Sequence, residues 1–207
     1  MPIQYARRLT GRTRTSGANR QLGLVLAFVA GAINAGGFLA VRQYTSHMTG
    51  VVSAMADNLA LGEMALVLDG IGALFSFLLG AACSAVMINF SRRRRLHSEY
   101  ALPLLLEALL LLCFGLLGAQ LALIPGLFVP VTVMLLCFIM GLQNAMITKL
   151  SQAEIRTTHL TGVITDIGIE LGKLLYWNRL PDAPEAVRAD RRRLAILASL
   201  VACFFAG

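Results

Sequence analysis

Four apolar runs, residues 22–41, 64–90, 101–124 and 127–147, set the terms on which this chain folds. Each is long enough to cross a bilayer, which takes about 20 residues per helix. Charged and amide interruptions are sparse: Asn34, Asp69, Asn89, Glu107, Gln120 and the pair Gln143-Asn144. Charged residues make up 14% of the chain, against roughly a quarter in a soluble domain, and they gather in short blocks between the runs. The expected fold is all-α, a polytopic transmembrane helical bundle in a lipid bilayer.

A net charge of +7 suits a nucleic-acid partner only if it forms a soluble basic face. Here the arginines stand at the ends of the runs instead, within 7–20, 92–95 and 188–193. That is the positive-inside pattern, so no nucleic acid is expected, and the basic blocks go to the cytoplasmic side of a bacterial inner membrane. Residues 1–21 read as a mobile basic tail, with the N-terminus cytoplasmic. Cys83, Cys113, Cys137 and Cys203 each lie alone in an apolar run. None has metal-ligand spacing, so no metal and no cofactor is expected. Residues 22–41 exceed the apolar core of a signal peptide, and the last run, 194–207, is expected to continue beyond the sequence.

Within the apolar background two stretches match. Gly-x-x-Asn-Ala stands at Gly31, Asn34, Ala35 and again at Gly141, Asn144, Ala145. Ser/Thr-His-x-Thr-Gly follows at residues 46–50 and 158–162. The offsets are 110 and 112 residues, so the chain reads as a duplicated unit. Repeat A is 22–124 and repeat B is 125–207.

The helices that carry Thr-Gly are short. Residues 48–61 offer about 21 Å at 1.5 Å per residue, too little to cross unaided. If they and 159–175 both crossed, one basic block would fall outside. If both dip in and return, the tail, 92–95, Lys149, Arg156 and 179–193 all share the cytoplasmic side. The two copies then face opposite ways. Inverted repeats with short or re-entrant Thr-Gly helices at matching positions point to an alternating-access transporter.

At these residues the chain resembles the YoaK family of bacterial multi-pass membrane proteins, a group defined by a domain of unknown function. The likeness rests on Gly31-x-x-Asn34-Ala35-x-x-Phe38-Leu39, Met48-Thr49-Gly50, Gly141-Leu142-Gln143-Asn144-Ala145 and Thr157-Thr158-x-Leu160-Thr161-Gly162-x-x-Thr165-Asp166. This chain has Asn34 where the family commonly has Asp, and Val51 where it has Asn. The resemblance implies a membrane protein with further helices after residue 207, and supplies no substrate.

Candidate site residues follow from these positions. Thr49, Gly50, Thr161 and Gly162 would open helices inside the membrane, where threonine caps free N–H groups and the helix dipole suits an anion. With Asn34 and Asn144 they form the expected substrate site, halfway through the bilayer between the repeats. A plain capped helix start at a tight packing point explains the Thr-Gly pairs equally well, and amides in such helices also serve as interhelical bonds. His47 and His159 occupy equivalent positions, and histidine is the residue type suited to a proton-linked switch. Asp166 and Glu107 are acids within apolar segments, where a carboxylate faces a cavity or a partner. Asp166, His159, His47 and Glu107 are therefore the expected ion-coupling residues, with Glu170 paired to Lys173 and Glu107 able to snorkel towards residues 92–95. No catalytic residue is expected, since Gly-x-Ser-x-Gly and His-Glu-x-x-His are absent. The function expected is a small-molecule secondary carrier or permease whose substrate is unidentified, with an anion suited to the helix starts. A membrane enzyme acting on a lipid or isoprenoid and a non-transporting assembly factor are the rivals. The oligomeric state is not legible.

Overall fold

The computed structural model describes residues 11, 15–118, 125–150, 160–176 and 187–207. These form seven helices: α1 Ser16–Val41, α2 Met48–Leu61, α3 Met64–Arg93, α4 Ala101–Gly118, α5 Pro125–Leu150, α6 Leu160–Leu175 and α7 Arg191–Ala206. No strand occurs among the described residues, only an isolated bridge between Gly11 and Ser98. Helices α1, α3 and α5 contain stretches long and apolar enough to cross a membrane.

Helix α1 starts earlier than the hydropathy suggests. Thr15 accepts a hydrogen bond on its hydroxyl from the Ala18 N–H, so residues 16–21 are helical rather than part of a mobile tail. Side-chain capping satisfies a donor that a helix start would otherwise leave unpaired. At the other end Arg42 takes a left-handed conformation, φ 57°, and its N–H bonds back to the Phe38 carbonyl.

Helix α3 shows how the bundle is packed. Its buried residues are Ala73, Gly80, Ser84, Ile88 and Ser91, mostly small, while Leu68, Phe75, Leu78 and Val86 lie outward. A soluble helix would bury the large side chains. Lipid is as apolar as leucine, so close backbone approach decides which face turns inward. A Cβ built on Gly80 would overlap the Phe138 carbonyl of α5, and one on Gly141 the Phe77 carbonyl of α3. The same contact recurs elsewhere: a Cβ on Gly31 would overlap the Phe204 carbonyl of α7, and one on Gly207 the Phe28 carbonyl of α1.

These crossings fix directions. Met134 meets Gly72, and the Lys149 ammonium donates to the Ala85 carbonyl, 3.4 Å, and to Asn89 Oδ1, 3.2 Å; α3 and α5 therefore run parallel. Helices α1 and α5 run antiparallel. Leu22 packs with Met146 and Ile147 in one cluster, the Gln143 amide donates to the Leu26 carbonyl at 3.0 Å, and Ala30 and Ile33 pack with Leu136 and Met140 in a second. Arg20 and Leu24 lie beside Arg192 and Ile196, so α7 runs parallel to α1.

With these directions, one end of the bundle gathers Arg20, residues 92–95, Lys149, Lys173, Arg188 and residues 191–193. Among the described residues, Arg42 is the one lysine or arginine at the opposite end. Arg92 is tied to Glu99 at 2.9 Å and to the Tyr100 hydroxyl at 3.3 Å.

Helix α2 does not cross. After α1 ends, the chain turns back along it, with Thr45 buried beside Gly37. The Asn34 amide donates to the Ser46 hydroxyl at 2.7 Å, roughly 10 Å below the end of α1 at 1.5 Å per residue. Helix α2 then runs outward again to Gly62, whose φ of 79° closes it, with Met55 against Gly70 of α3. Residues 42–61 thus enter and leave on the same end. Helix α6 is antiparallel to α7, because Asp166 meets Arg193 and Glu170 meets Asp190. It returns to the basic end, where α5 finished.

Candidate functional site

The re-entrant hairpin leaves a cavity of about 460 Å³ at the end opposite the basic blocks. Its walls come from the last turn of α1, from α2, from the first turns of α3 and from the start of α5. Apolar side chains make most of it: Phe38, Val51, Met55, Leu66, Val133 and Met134. Polar groups enter at chosen points, with Arg42 and Gln43 at the end of α1, His47 and Asn58 on the α2 side, and Asp69 on α3. The Phe38 ring stacks on Tyr44, 5.0 Å between centroids, and the Arg42 guanidinium sits 5.8 Å from its centre. The contact with the Phe38 ring holds the guanidinium at the cavity. Pro130, inside α5, also lines the cavity.

The start of α2 differs from the expected cap. His47 is the N-cap residue and makes no side-chain capping bond. Thr49, in the first turn, is exposed and outside the lining, so it caps nothing here. The reason is Gly50: a Cβ there would sit 2.6 Å from His47 Nδ1, so the missing side chain lets the imidazole lie over the first turn. His47 and Gly50 both line the cavity, and Asn34 lies just behind it through Ser46.

The remaining expected residues lie elsewhere. Asn144 is on α5 towards the basic end, where its carbonyl accepts from Thr148 at 2.8 Å. Thr161 and Gly162 are exposed at the start of α6, and His159 lies outside the described residues. The cavity is therefore placed against the first Thr-Gly helix alone, not shared by both. Asp166, expected as an ion-coupling acid within the apolar segment, has a side chain 39% exposed and bonds Arg193 at 3.1 Å. Glu170 is buried and does pair with Lys173, at 2.8 Å, while its other oxygen accepts from the Asp190 N–H at 2.8 Å.

Glu107 is 3% exposed, and neither carboxyl oxygen has a partner. It does not reach residues 92–95: neither of its oxygens has a partner, and Arg92 is tied to Glu99 instead. It stands between the two apolar clusters: Leu104 packs on the one nearer the basic end, Leu110 and Leu111 on the other. Gln143 occupies the same layer on α5, between Met140 and Met146, with its Oε1 also unpartnered. Among the described residues no three His, Cys, Asp or Glu side chains converge as metal ligands.

Sequence reasoning passed over Arg42 and Asp69 as site residues. A signal for Arg42 was present: it breaks the charge bias that every other basic block obeys. Asp69 was visible as an acid in an apolar run, but its place in a cavity depends on how α2 folds back.

A helical membrane bundle with a vestibule at one end and a re-entrant hairpin for one wall is the class these features define. The chain belongs to the family described as "Protein of unknown function (DUF1275)", which matches residues 22–207. It is similar to the UPF0700 transmembrane protein YoaK of Bacillus subtilis (strain 168), at 27% identity over 156 residues, 75% of this chain and 68% of that protein. No solved structure matches it.

Proposed function

We propose that this protein is a secondary carrier of small amphipathic acids that works by alternating access between two inverted halves. The observation that carries the reading is the 460 Å³ cavity, apolar over most of its wall and furnished with the single arginine at that end among the described residues. Ligand sites of this size combine an apolar body with a few placed polar groups. Arg42 offers a planar fork to a carboxylate, and the start of α2 adds partial positive charge. Asp69, also in the lining, repels a second carboxylate and so favours a monoanion or zwitterion over a dianion.

Support for inverted halves comes from the helix crossings. Helices α1 and α5 share Gly-x-x-Asn-Ala and run antiparallel. Each places the motif glycine against a phenylalanine carbonyl of a parallel partner, Phe204 on α7 or Phe77 on α3. The partners share Phe-x-x-Gly, at Phe77/Gly80 and Phe204/Gly207, 127 residues apart. In this reading a half-turn about an axis near Ala30 and Met140, which pack in one cluster, would exchange α1 with α5, α3 with α7 and α2 with α6. Short interrupted helices at matched positions of inverted repeats are a carrier's architecture. Glu107, an unpartnered carboxyl in the layer between the clusters, is the proton or ion path of this scheme. Asp166, already bonded to Arg193, is not. By the charge bias the cavity opens to the outer face of a bacterial inner membrane.

The test is uptake of a panel of labelled amphipathic acids by proteoliposomes holding the protein. Saturable uptake of at least one acid is expected, with loss in Arg42→Gln. Uptake no faster than in protein-free liposomes across the panel, or uptake indifferent to Arg42, sinks the reading.

A further inference from the structure

Helices α1 and α7 touch at one end and part at the other. Gly31 and Gly207 bring their backbones together, since a Cβ on either would overlap a carbonyl of the facing helix. Leu24 lies seven residues before Gly31, about 10 Å along α1. Here, at the basic end, a groove of about 180 Å³ runs between the two helices.

The groove is open to the surface of the bundle. Arg20, Arg192, Ala195 and Ser199 in its lining are exposed, and Leu24 and Ile196 are half-buried. Its charged members stand together at the rim, Arg20 on α1 and Arg192 on α7. The deeper wall is apolar. Leu24, Ala195 and Ile196 lie about one turn further in, and Ser199 turns its hydroxyl onto the Ala195 carbonyl of its own helix at 2.7 Å. From Arg192 to Ser199 is about 10 Å, enough to run from the headgroup layer, roughly 5–8 Å thick, into the hydrocarbon.

Most basic side chains nearby are already committed. Arg92 pairs with Glu99, Lys173 with Glu170 and Arg193 with Asp166, while Lys149 bonds to Ala85 and Asn89. The guanidinia of Arg20 and Arg192 have neither an ion-pair nor a hydrogen-bond partner among the described residues. Asp190 precedes Arg192 at the start of α7, but its Oδ1 accepts from the Arg192 and Arg193 N–H groups.

We propose that this groove binds an anionic phospholipid of the leaflet at the basic end. The phosphodiester lies between Arg20 and Arg192, and the start of one acyl chain runs along Leu24, Ala195 and Ile196. A guanidinium takes two phosphate oxygens at once, and basic pockets between spanning helices are headgroup sites. A free phosphate would meet the same two arginines but leave the apolar wall uncovered. The site stands whether or not the bundle carries a substrate.

The experiment follows thermal unfolding of the detergent-purified protein titrated with dioleoylphosphatidylglycerol in mixed micelles. Dioleoylphosphatidylcholine is the zwitterionic comparison, and glycerophosphoglycerol is the same headgroup without chains. Phosphatidylglycerol should stabilise saturably and more than phosphatidylcholine. Its affinity should fall roughly fivefold in Arg20→Gln and in Arg192→Gln, and hold in Arg93→Gln, which alters an exposed arginine at the same end outside the groove. Ser199→Phe fills the deep part of the groove without changing its charge and should also weaken binding. Arg20→Lys and Arg192→Lys keep the charge and should bind more tightly than the glutamine variants, which separates loss of the site from loss of folding. Equal affinity in the wild type and both glutamine variants overturns the site. An equal loss in Arg93→Gln does so too, because it would mean diffuse attraction to the whole basic end. If glycerophosphoglycerol stabilises as strongly as the lipid, or phosphatidylcholine matches phosphatidylglycerol, the assignment to an anionic lipid falls.

Discussion

Arg42 and Glu107 are the two residues whose placement is hardest to explain by packing alone. Arg42 opposes the charge bias of the bundle and lines the cavity from a left-handed backbone position, φ 57°. Hydrogen bonds to a charged group contribute about 1.5–3 kcal/mol. For an acid that the wild type binds, Arg42→Gln should therefore weaken affinity by roughly 10- to 100-fold. Arg42→Lys should not restore it, because an ammonium lacks the planar fork. Ligand-dependent thermal stabilisation of the purified protein reads both, and equal affinities in wild type and Arg42→Gln would remove Arg42 from the site. Glu107 makes the opposite prediction for stability. A buried carboxyl without a partner costs folding free energy, about 1–3 kcal/mol, so Glu107→Leu should unfold at a higher temperature than the wild type. If it carries the coupling ion, Glu107→Leu and Glu107→Gln should also abolish the pH dependence of uptake. A variant that is both less stable and fully pH-dependent would make Glu107 a structural residue.

At the scale of the helix the decisive contacts are backbone on backbone. Gly31 and Gly141 each face a phenylalanine carbonyl on the neighbouring helix, and a carbonyl cannot rotate away as a side chain can. Overpacking of this kind costs about 1–3 kcal/mol, so Gly31→Ala and Gly141→Ala should each lower the thermal midpoint, and by similar amounts if the crossings are equivalent. Gly115→Ala, with nothing within 4 Å of the added methyl, should be neutral or stabilising, since alanine exceeds glycine in helix propensity by up to about 1 kcal/mol. Unfolding of the detergent-purified variants separates the cases. Three of the four expected spanning helices, α1, α3 and α5, were legible beforehand because long apolar runs have one outcome in lipid; the fourth run, 101–124, is described only as far as Gly118. The match of Gly31 with Gly141 was legible as a motif, and its use was not: which helix each glycine approaches is set by tertiary packing. The early start of α1 was hidden because residues 16–21 are polar and only the Thr15 cap marks the boundary. The ion pair Arg193–Asp166 was hidden because it joins two helices across a 15-residue connection.

For the whole molecule the question is which faces of the bilayer its ends occupy. All described lysines and arginines but Arg42 gather at one end, which is possible only because α2 turns back instead of crossing. Had α2 crossed, Arg20 and Arg94 would sit on opposite faces, and one cluster of arginines would face outward against a bias observed across inner-membrane proteins. The bond from Asn34 to Ser46 and the burial of Thr45 draw residues 43–46 back beside α1, and the turn at Gly62 then leaves α2 and α3 meeting at the end where α1 finished. Arg20, Arg94 and Leu61 are all exposed, so cysteines placed there report topology directly. In intact spheroplasts an impermeant maleimide should label Leu61→Cys, and should reach Arg20→Cys and Arg94→Cys only after the membrane is opened. Labelling of Arg20→Cys and Arg94→Cys from different faces would mean that residues 42–61 cross. The inverted halves proposed for the carrier would then be ruled out, and the carrier reading would lose its basis.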